Sequence, residues 1–275
     1  MPEGDTVHRA GRRLHRALAG RRLVRGELRH PRLAAVDLAG VRVLEVRPVG
    51  KHLLFRFDDD TTLHSHLRMD GSWHLYRPGQ RWHGPAHQVR AVLDTGDRVV
   101  VGFRLHDLAL LPTAEEHRVI GHLGPDLLDP EWGPRHEDEA VRRLAADPDR
   151  AIGLALLDQS AVAGLGNLYR TELCFLLGVS PWTPVSGVDL RAAVRRGREL
   201  LRRNLFRPDQ PTTGRSAPGT RHWVFERAGR PCRRCGRPVR VAPQGPGHLA
   251  RLTYFCPRCQ HGPVPPEHPF DGTGP

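Results

Sequence analysis

The chain has 275 residues, of which 39% are hydrophobic, and this length accommodates more than one compact unit. A formal net charge of +12 and a sequence pI near 10.8 favour a polyanionic partner, above all nucleic acid, although a solvated basic surface in an arginine-rich chain would have the same composition. No apolar run of about 18 residues or more occurs, so we expect a cytosolic protein without a membrane-spanning helix.

The chain begins with Pro2 and Glu3 behind the initiator methionine. Removal of Met1 would leave Pro2 as a terminal secondary amine, which can attack an aldehyde-level carbon and form a cationic iminium. Glu3 beside it is a candidate acid or base. Proline followed by an acidic residue is also common at the capped start of a helix. The N-terminus alone therefore leaves a Schiff-base nucleophile and a helix cap as alternatives.

A helix and then a β-rich segment are predicted next. Apolar residues recur at helical spacing over 6–20 and predict one amphipathic helix. Over 21–111, short runs rich in valine and leucine, punctuated by glycine and aspartate, predict an antiparallel sandwich or barrel. Lys51, the only lysine in the chain, follows Gly50 at the start of one such run. Its compact ammonium is not interchangeable with a planar guanidinium, which makes Lys51 a candidate binding residue. The alternative is that this single lysine has been retained by chance in an arginine-rich chain.

Residues 123–130 have the turn composition of a linker, and the pattern beyond them is helical. We predict helices at 139–146, 151–157 and 190–205. Gly164 and Gly166 precede another helix, with Asn167 at its start as a candidate cap. Unpaired amides at the N-terminus of that helix would suit a phosphate, although an ordinary glycine turn between packed helices has the same residues.

The C-terminal region contains two Cys-x-x-Cys pairs separated by twenty residues. Their cysteines are Cys232, Cys235, Cys256 and Cys259. This spacing is typical of a structural zinc site with four thiolate ligands, and a disulfide pair is the alternative. We expect Zn²⁺ to stabilise a β-hairpin that carries Arg251. The fifth cysteine, Cys174, lies on an apolar helix and is interpreted as a core residue.

In combination these features resemble the formamidopyrimidine-DNA glycosylase/endonuclease VIII family. The resemblance covers nearly the whole chain and rests on three places in the family's order: Pro2-Glu3-Gly4, the segment from Ile152 through Asn167, and the cysteine region. It implies an α+β multidomain fold with an N-terminal helix and a two-layered antiparallel β-sandwich, a helix-two-turn-helix segment and a C-terminal four-cysteine zinc finger.

The resemblance also suggests domain bounds. We expect a catalytic domain at 1–122, a helical domain at 123–225, a zinc finger at 226–261 and a disordered tail at 262–275. A loop is expected at 210–220, where proline, glycine, serine and threonine are concentrated.

Four residues would belong to the catalytic machinery by resemblance. Pro2 would be the nucleophile that attacks C1′ of the damaged nucleotide, and Glu3 the acid/base that opens the sugar and drives elimination. Lys51 and Arg251 would hold the bent DNA backbone through charge-assisted phosphate contacts.

The remaining family roles concern DNA binding. His66 would be a phosphate contact, and Asn167 and Arg251 would be the phosphate ligands of the helix-two-turn-helix and of the zinc-finger hairpin. Met69 would fill the gap left by the extruded base, since an enzyme that acts on a flipped nucleotide needs a wedge in the vacated stack. For Met69, core filling is the alternative interpretation.

One departure from the family pattern occurs near the N-terminus. The common pattern has a second glutamate where this chain has Thr6, preceded by Asp5. Thr6 cannot transfer a proton in its place; we expect it to cap the helix instead, with Asp5 pointing elsewhere.

The resemblance implies a bifunctional DNA glycosylase/AP lyase that excises oxidised pyrimidines and cleaves the strand by β,δ-elimination. We expect it to act on damaged double-stranded DNA as a cytoplasmic, nucleoid-associated monomer. Three alternatives remain open. The first is the same chemistry on 8-oxoguanine or formamidopyrimidine, which the segment His66-Leu67-Arg68-Met69 favours. The second is a non-catalytic damage-binding module. The third is a zinc-ribbon protein whose N-terminus is merely a helix cap.

Overall fold

The computed structural model describes residues 2–265, and the chain divides into two compact units, Met1–His122 and Leu123–Pro275. A helix and two four-stranded antiparallel sheets form the first unit. The sheets have the orders β1-β6-β7-β5 and β2-β3-β4-β8. The elements of this unit are α1 (Gly4–Leu18), β1 (Arg25–Leu28), β2 (Val43–Val49), β3 (His52–Phe57), β4 (Thr61–His66), β5 (Ser72–Tyr76), β6 (Val89–Asp94), β7 (Val99–Phe103), β8 (Asp107–Pro112) and α2 (His117–Ile120). The predicted two-layered antiparallel sandwich is confirmed.

The core of this unit lies between the sheets and under α1. Alternating strand residues from both sheets contribute to it, as the close contact between the Phe55 and Trp73 rings shows, with centroids 4.9 Å apart. The Trp73 Nε1–H donates to Ser65 Oγ at 3.1 Å, so the indole nitrogen is satisfied inside the core. A β-carbon at Gly11 of α1 would lie 3.1 Å from a Leu53 methyl carbon, which explains the close approach of this helix to the sheet.

The start of α1 differs from the prediction. The helix begins at Gly4, and the extended residue Glu3 (φ −118°, ψ −178°) is its N-cap. The Val7 N–H already donates to the Glu3 carbonyl at 3.0 Å. Thr6 therefore lies within the first helical turn, and the prediction that it caps the helix is wrong.

The second unit is helical and ends in a β-hairpin. Its elements are α3 (Pro134–Leu144), α4 (Ile152–Ala155), α5 (Asn167–Leu177), α6 (Leu190–Asn204), β9 (Arg240–Gln244) and β10 (Arg251–Phe255). The helix predicted at 139–146 begins earlier, because Pro134 occupies its first turn after the N-cap Gly133. The predicted division of this unit after residue 225 stays a prediction.

Helix α5 is the centre of the second unit. All of its residues from Asn167 to Phe175 are buried, including Arg170 and Glu172, while Gly178 ends the helix in the left-handed conformation at φ +73°. Cys174 is buried in this core, as predicted, and burial raises the pKa of its thiol to about 12. No helix in residues 2–265 is long and apolar enough to cross a membrane. The predicted tail beyond residue 265 lies outside the described residues.

Candidate active site

The N-terminal candidates lie at the start of α1. Pro2 is partly exposed, whereas the Glu3 and Asp5 side chains are both fully buried at 0% exposure. Two carboxylates thus lie at the positive end of a helix, where negative charge is favoured. Sequence reasoning gave Asp5 no role, although its position in the first helical turn was a signal for it.

Lys51 occupies the tip of a two-residue turn. Val49 pairs with His52 across β2 and β3, so only Gly50 and Lys51 connect the strands. Gly50 has φ +56°, which suits the glycine-first turn of a tight hairpin. The structure places Lys51, partly exposed, at the end of this hairpin, in agreement with its predicted position at a strand start.

His66 ends β4 and lies close to Lys51. It is directly opposite His52 in β3 and opposite Asp107 in β8. Its Nδ1 accepts from the Arg68 backbone N–H at 3.1 Å. Burial and then the Arg68 charge lower its pKa to about 4, and Lys51 adds a smaller lowering against the opposing effect of Asp107. The structure therefore brings two candidate phosphate contacts together with His66 uncharged at neutral pH.

Met69 lies in the turn after β4, and 57% of it is exposed. This exposure rules out the core-filling interpretation. Arg68 beside it adopts φ +50° and pairs with Asp107, while the Arg104 Nε–H donates to the Asp70 carbonyl at 3.2 Å. A flexible apolar side chain is thus presented on a turn whose neighbours are held by ionic and hydrogen-bonding contacts.

Asn167 in the second unit contacts the hairpin that carries Arg251. Gly166, not Asn167, is the N-cap of α5, so the predicted capping role is wrong. The Asn167 Nδ2–H instead donates to the Leu252 carbonyl at 3.0 Å, next to Arg251, which opens β10 and is exposed. The two candidate ligands of this unit therefore belong to one helix–hairpin contact.

Arg170 is the residue that holds this contact together, and sequence reasoning missed it. Its guanidinium is fully buried and donates to Asn167 Oδ1 at 2.6 Å from Nη2 and to Thr253 Oγ1 at 2.5 Å. It also donates to Gln244 Oε1, and Gln244 is the cross-strand partner of Arg251. A fixed charge on an otherwise apolar helix was the available signal.

Glu172 fixes the loop predicted at 210–220 and was also missed. Its buried carboxylate accepts the backbone N–H groups of Trp223, Val224 and Phe225, each at 2.8 Å. The Thr212 hydroxyl donates to the same carboxylate. Glu172 therefore fastens both ends of a segment that contains no helix or strand.

The four C-terminal cysteines form one cluster. All four Sγ atoms lie within 4.8 Å of one another, with Cys232 to Cys259 at 3.9 Å and Cys235 to Cys256 at 3.5 Å. Tetrahedral thiolates at the usual zinc–sulfur distance are about 3.8 Å apart. The donor set and its spacing fit a metal of this kind, and no disulfide links these cysteines.

Comparison with known proteins identifies the family. The formamidopyrimidine-DNA glycosylase N-terminal domain matches residues 1–107, and the formamidopyrimidine-DNA glycosylase H2TH domain matches residues 123–203. Two bacterial relatives are the probable endonuclease 8 2 of Streptomyces coelicolor, 56% identical over 96% of each chain, and the DNA-(apurinic or apyrimidinic site) lyase Nei2 of Mycolicibacterium smegmatis, 44% identical over 94% of this chain and 99% of the relative.

Solved structures show the same fold. The formamidopyrimidine-DNA glycosylase of Lactococcus lactis, in a complex with DNA containing N7-benzyl-Fapy-dG, superimposes with a TM-score of 0.76 at 23% identity, covering 95% of this chain and 100% of that one. At this identity the likeness concerns the fold alone. On the domain matches and the close relatives, the chain belongs to the formamidopyrimidine-DNA glycosylase/endonuclease VIII family of DNA glycosylases and AP lyases.

Proposed function

We propose that this endonuclease VIII-like enzyme excises oxidised pyrimidines from duplex DNA through a Schiff base at Pro2 and cleaves the strand by β,δ-elimination. One observation carries the proposal: the partly exposed Pro2 lies beside the fully buried Glu3 at the positive end of α1. The terminal amine of a peptide keeps a useful neutral, nucleophilic fraction at physiological pH without special tuning.

The chemistry follows from these two groups once Met1 is removed. The Pro2 nitrogen forms a bond to C1′ as the damaged base departs with the electron pair of the glycosidic bond, and the proton that the Pro2 nitrogen loses passes to the departing base. Glu3 then donates a proton to the sugar ring oxygen as the C1′–O4′ bond opens, which leaves an iminium between Pro2 and C1′. Loss of a C2′ proton expels the 3′ phosphate, and loss of the C4′ proton, which conjugation with the iminium makes acidic, then expels the 5′ phosphate. Hydrolysis of the imine returns the free amine.

Each unit contributes one pair of phosphate contacts in this proposal. Lys51 and His66 are neighbours on the first unit, and Asn167 and Arg251 meet at the helix–hairpin contact of the second. Charge-assisted contacts to phosphate make binding depend on salt, in keeping with the net charge of +12. Met69 would occupy the vacated stack, for which its 57% exposure and flexible apolar side chain are suited.

The four cysteines would hold Zn²⁺ in a structural role. Cys256 follows β10 directly, and Cys232 and Cys235 precede β9, so one metal would link both strands of the hairpin. This would fix Arg251 at the start of β10 relative to Asn167. A structural metal suits a region whose small apolar cluster includes two of the cysteines.

The choice of oxidised pyrimidines rests on the opening Pro2-Glu3-Gly4 and the cysteine region, which resemble the endonuclease VIII branch, and the relatives named endonuclease 8 2 support that branch. The segment from His66 to Met69 keeps 8-oxoguanine and formamidopyrimidine as a second candidate class. The test is an excision panel on duplexes that each carry one lesion, using protein whose loss of Met1 is verified by mass spectrometry. We expect thymine glycol, dihydrouracil and 5-hydroxycytosine to be processed faster than 8-oxoguanine, with phosphate on both ends of the gap. Faster removal of 8-oxoguanine would overturn the substrate class, and an intact abasic product would overturn the lyase step.

A further inference from the structure

Four histidine rings lie together beside the turn that carries Lys51. His64 and His66 are two residues apart in β4 and project from the face opposite to Ser65, and His52 faces His66 across the strand pair. The His52 ring centroid lies 5.0 Å from that of His64 in a stacked arrangement and 4.9 Å from that of His66. The His122 ring packs edge-on against His52 at 6.0 Å. His52 is thus the centre of the cluster.

The hydrogen bonds of this cluster require a neutral His66 and at least one neutral ring in the pair His52 and His64. His52 Nδ1 and His64 Nε2 are 2.7 Å apart, so one donates and the other accepts, and protonation of both rings would break the bond. His66 Nδ1 accepts from the Arg68 backbone N–H. This leaves the ring proton of a neutral His66 on Nε2.

The electrostatic surroundings also favour uncharged histidine rings. Burial, followed by the neighbouring histidines, lowers the pKa of His52 to about 3, and burial and then His66 lower that of His64 to about 4. Lys51 and Arg68 also disfavour a charge on His66. Asp107 of β8 raises the pKa of His66, but the net effect of the surroundings is still to lower it.

We propose that His52 and His64 are positioning residues that hold His66 as an uncharged hydrogen-bond donor to the phosphate that Lys51 binds by charge. The His52 ring, held by its stack on His64, packs against the His66 ring at an interplanar angle of 59° and restricts its rotation, while the Arg68 N–H holds its Nδ1. His52 directly follows Lys51, so the same stack also secures the turn that presents the ammonium. The inference rests on the proposed function, since it needs a DNA phosphate at this turn.

Salt dependence separates a neutral contact from a charged one. We would measure the affinity of the full-length, metal-loaded protein for a duplex with a tetrahydrofuran abasic analogue over a salt series. Lys51→Met should lower the slope of log K against log salt by about 0.9, because one phosphate charge is no longer neutralised. His64→Ala should weaken binding about fivefold, as expected for one lost hydrogen bond, with the wild-type slope.

Two controls make this result specific. His64→Gln places an amide nitrogen where Nε2 lies, so it should restore affinity to within about twofold of wild type. His87→Ala removes an exposed histidine outside the cluster and should bind as wild type does. The inference is overturned if His64→Ala binds like His87→Ala, if it changes the slope as Lys51→Met does, or if Lys51→Met leaves the slope unchanged.

A further test of the inference uses the wild-type protein alone, so it does not depend on the folding of any variant. Nitrogen-15 NMR of the histidine rings at pH 7, in the presence of the same DNA, should show His66 as the neutral Nε2–H tautomer. An imidazolium at His66 would overturn the inference. Trapping of an imine with abasic DNA tests the proposed function separately, because a protein that binds by this contact without forming an imine would retain the histidine result.

Discussion

Replacement of Arg170 by methionine probes how the second unit holds its two candidate phosphate ligands. Methionine keeps an apolar stem but removes the donor that Arg170 supplies to three buried side-chain acceptors, of which Thr253 Oγ1 and Gln244 Oε1 keep a longer contact with each other: Asn167 Oδ1, Gln244 Oε1 and Thr253 Oγ1. A buried polar group without a partner costs about 1–3 kcal/mol. Removing the desolvated guanidinium offsets part of that cost. We therefore expect the contact between α5 and the hairpin to lose about 3 kcal/mol.

Hydrogen–deuterium exchange of the β10 amides measures this loss locally, without assuming that the two units unfold together. A loss of about 3 kcal/mol in the free energy of opening corresponds to exchange roughly 100-fold faster. The matched control is Arg203→Met on α6, whose exposed ion pair with Glu199 should contribute at most about 0.5 kcal/mol. If Arg170→Met exchanges no faster than Arg203→Met, the buried network does not hold the hairpin.

Three further outcomes follow from the same structure. Metal chelation, or Cys235→Ser, should disorder the C-terminal hairpin, measured as faster proteolysis of the hairpin, and should also weaken DNA binding. A hairpin that resists protease as well as in the untreated wild type would contradict a structural metal. Glu172→Gln should destabilise the second unit by about 2–3 kcal/mol and expose 212–223 to protease, since one amide nitrogen would face backbone donors; unchanged cleavage would refute this. Acidification should destabilise the first unit, because the pKa of His64 is near 6.5 in the unfolded chain and about 4 in the folded protein. The neutral His64 ring therefore contributes about 3 kcal/mol to the free energy of unfolding above pH 6.5, and this contribution is lost as the pH falls toward 4. His64→Leu should make the fall in melting temperature over that window shallower without abolishing it, because His52 and His66 also have lowered pKa values; an equally steep fall would be contrary to the reasoning.

The parts of the fold that were predicted correctly depend on local signals. The helix at 6–20 and the strand at 52–57 follow from the spacing of apolar residues, and the cysteine cluster follows from two pairs close in sequence. The start of α1 was placed too late because polar Glu3 and Gly4 lie outside the apolar pattern. These signals depend only on neighbouring residues, so sequence suffices to find them.

The site residues that were missed depend on distant partners. Arg170 reaches Gln244 at a separation of 74 residues, and Glu172 reaches Trp223 at 51. A charged residue in a helix usually indicates a solvated face, so their burial was not expected. The stacking of His52 on His64 likewise depends on strand register, which apolar spacing alone does not define.

The most direct test of the proposed chemistry is borohydride trapping on an oligonucleotide with one abasic site. The protein should be metal-loaded and verified to lack Met1, with Pro2→Gly as the matched variant. We expect the wild type to form a covalent complex whose linkage maps to Pro2, and Pro2→Gly to lose it. The absence of a cross-link in the processed wild type, or an undiminished cross-link in Pro2→Gly, would contradict an imine at the N-terminal proline.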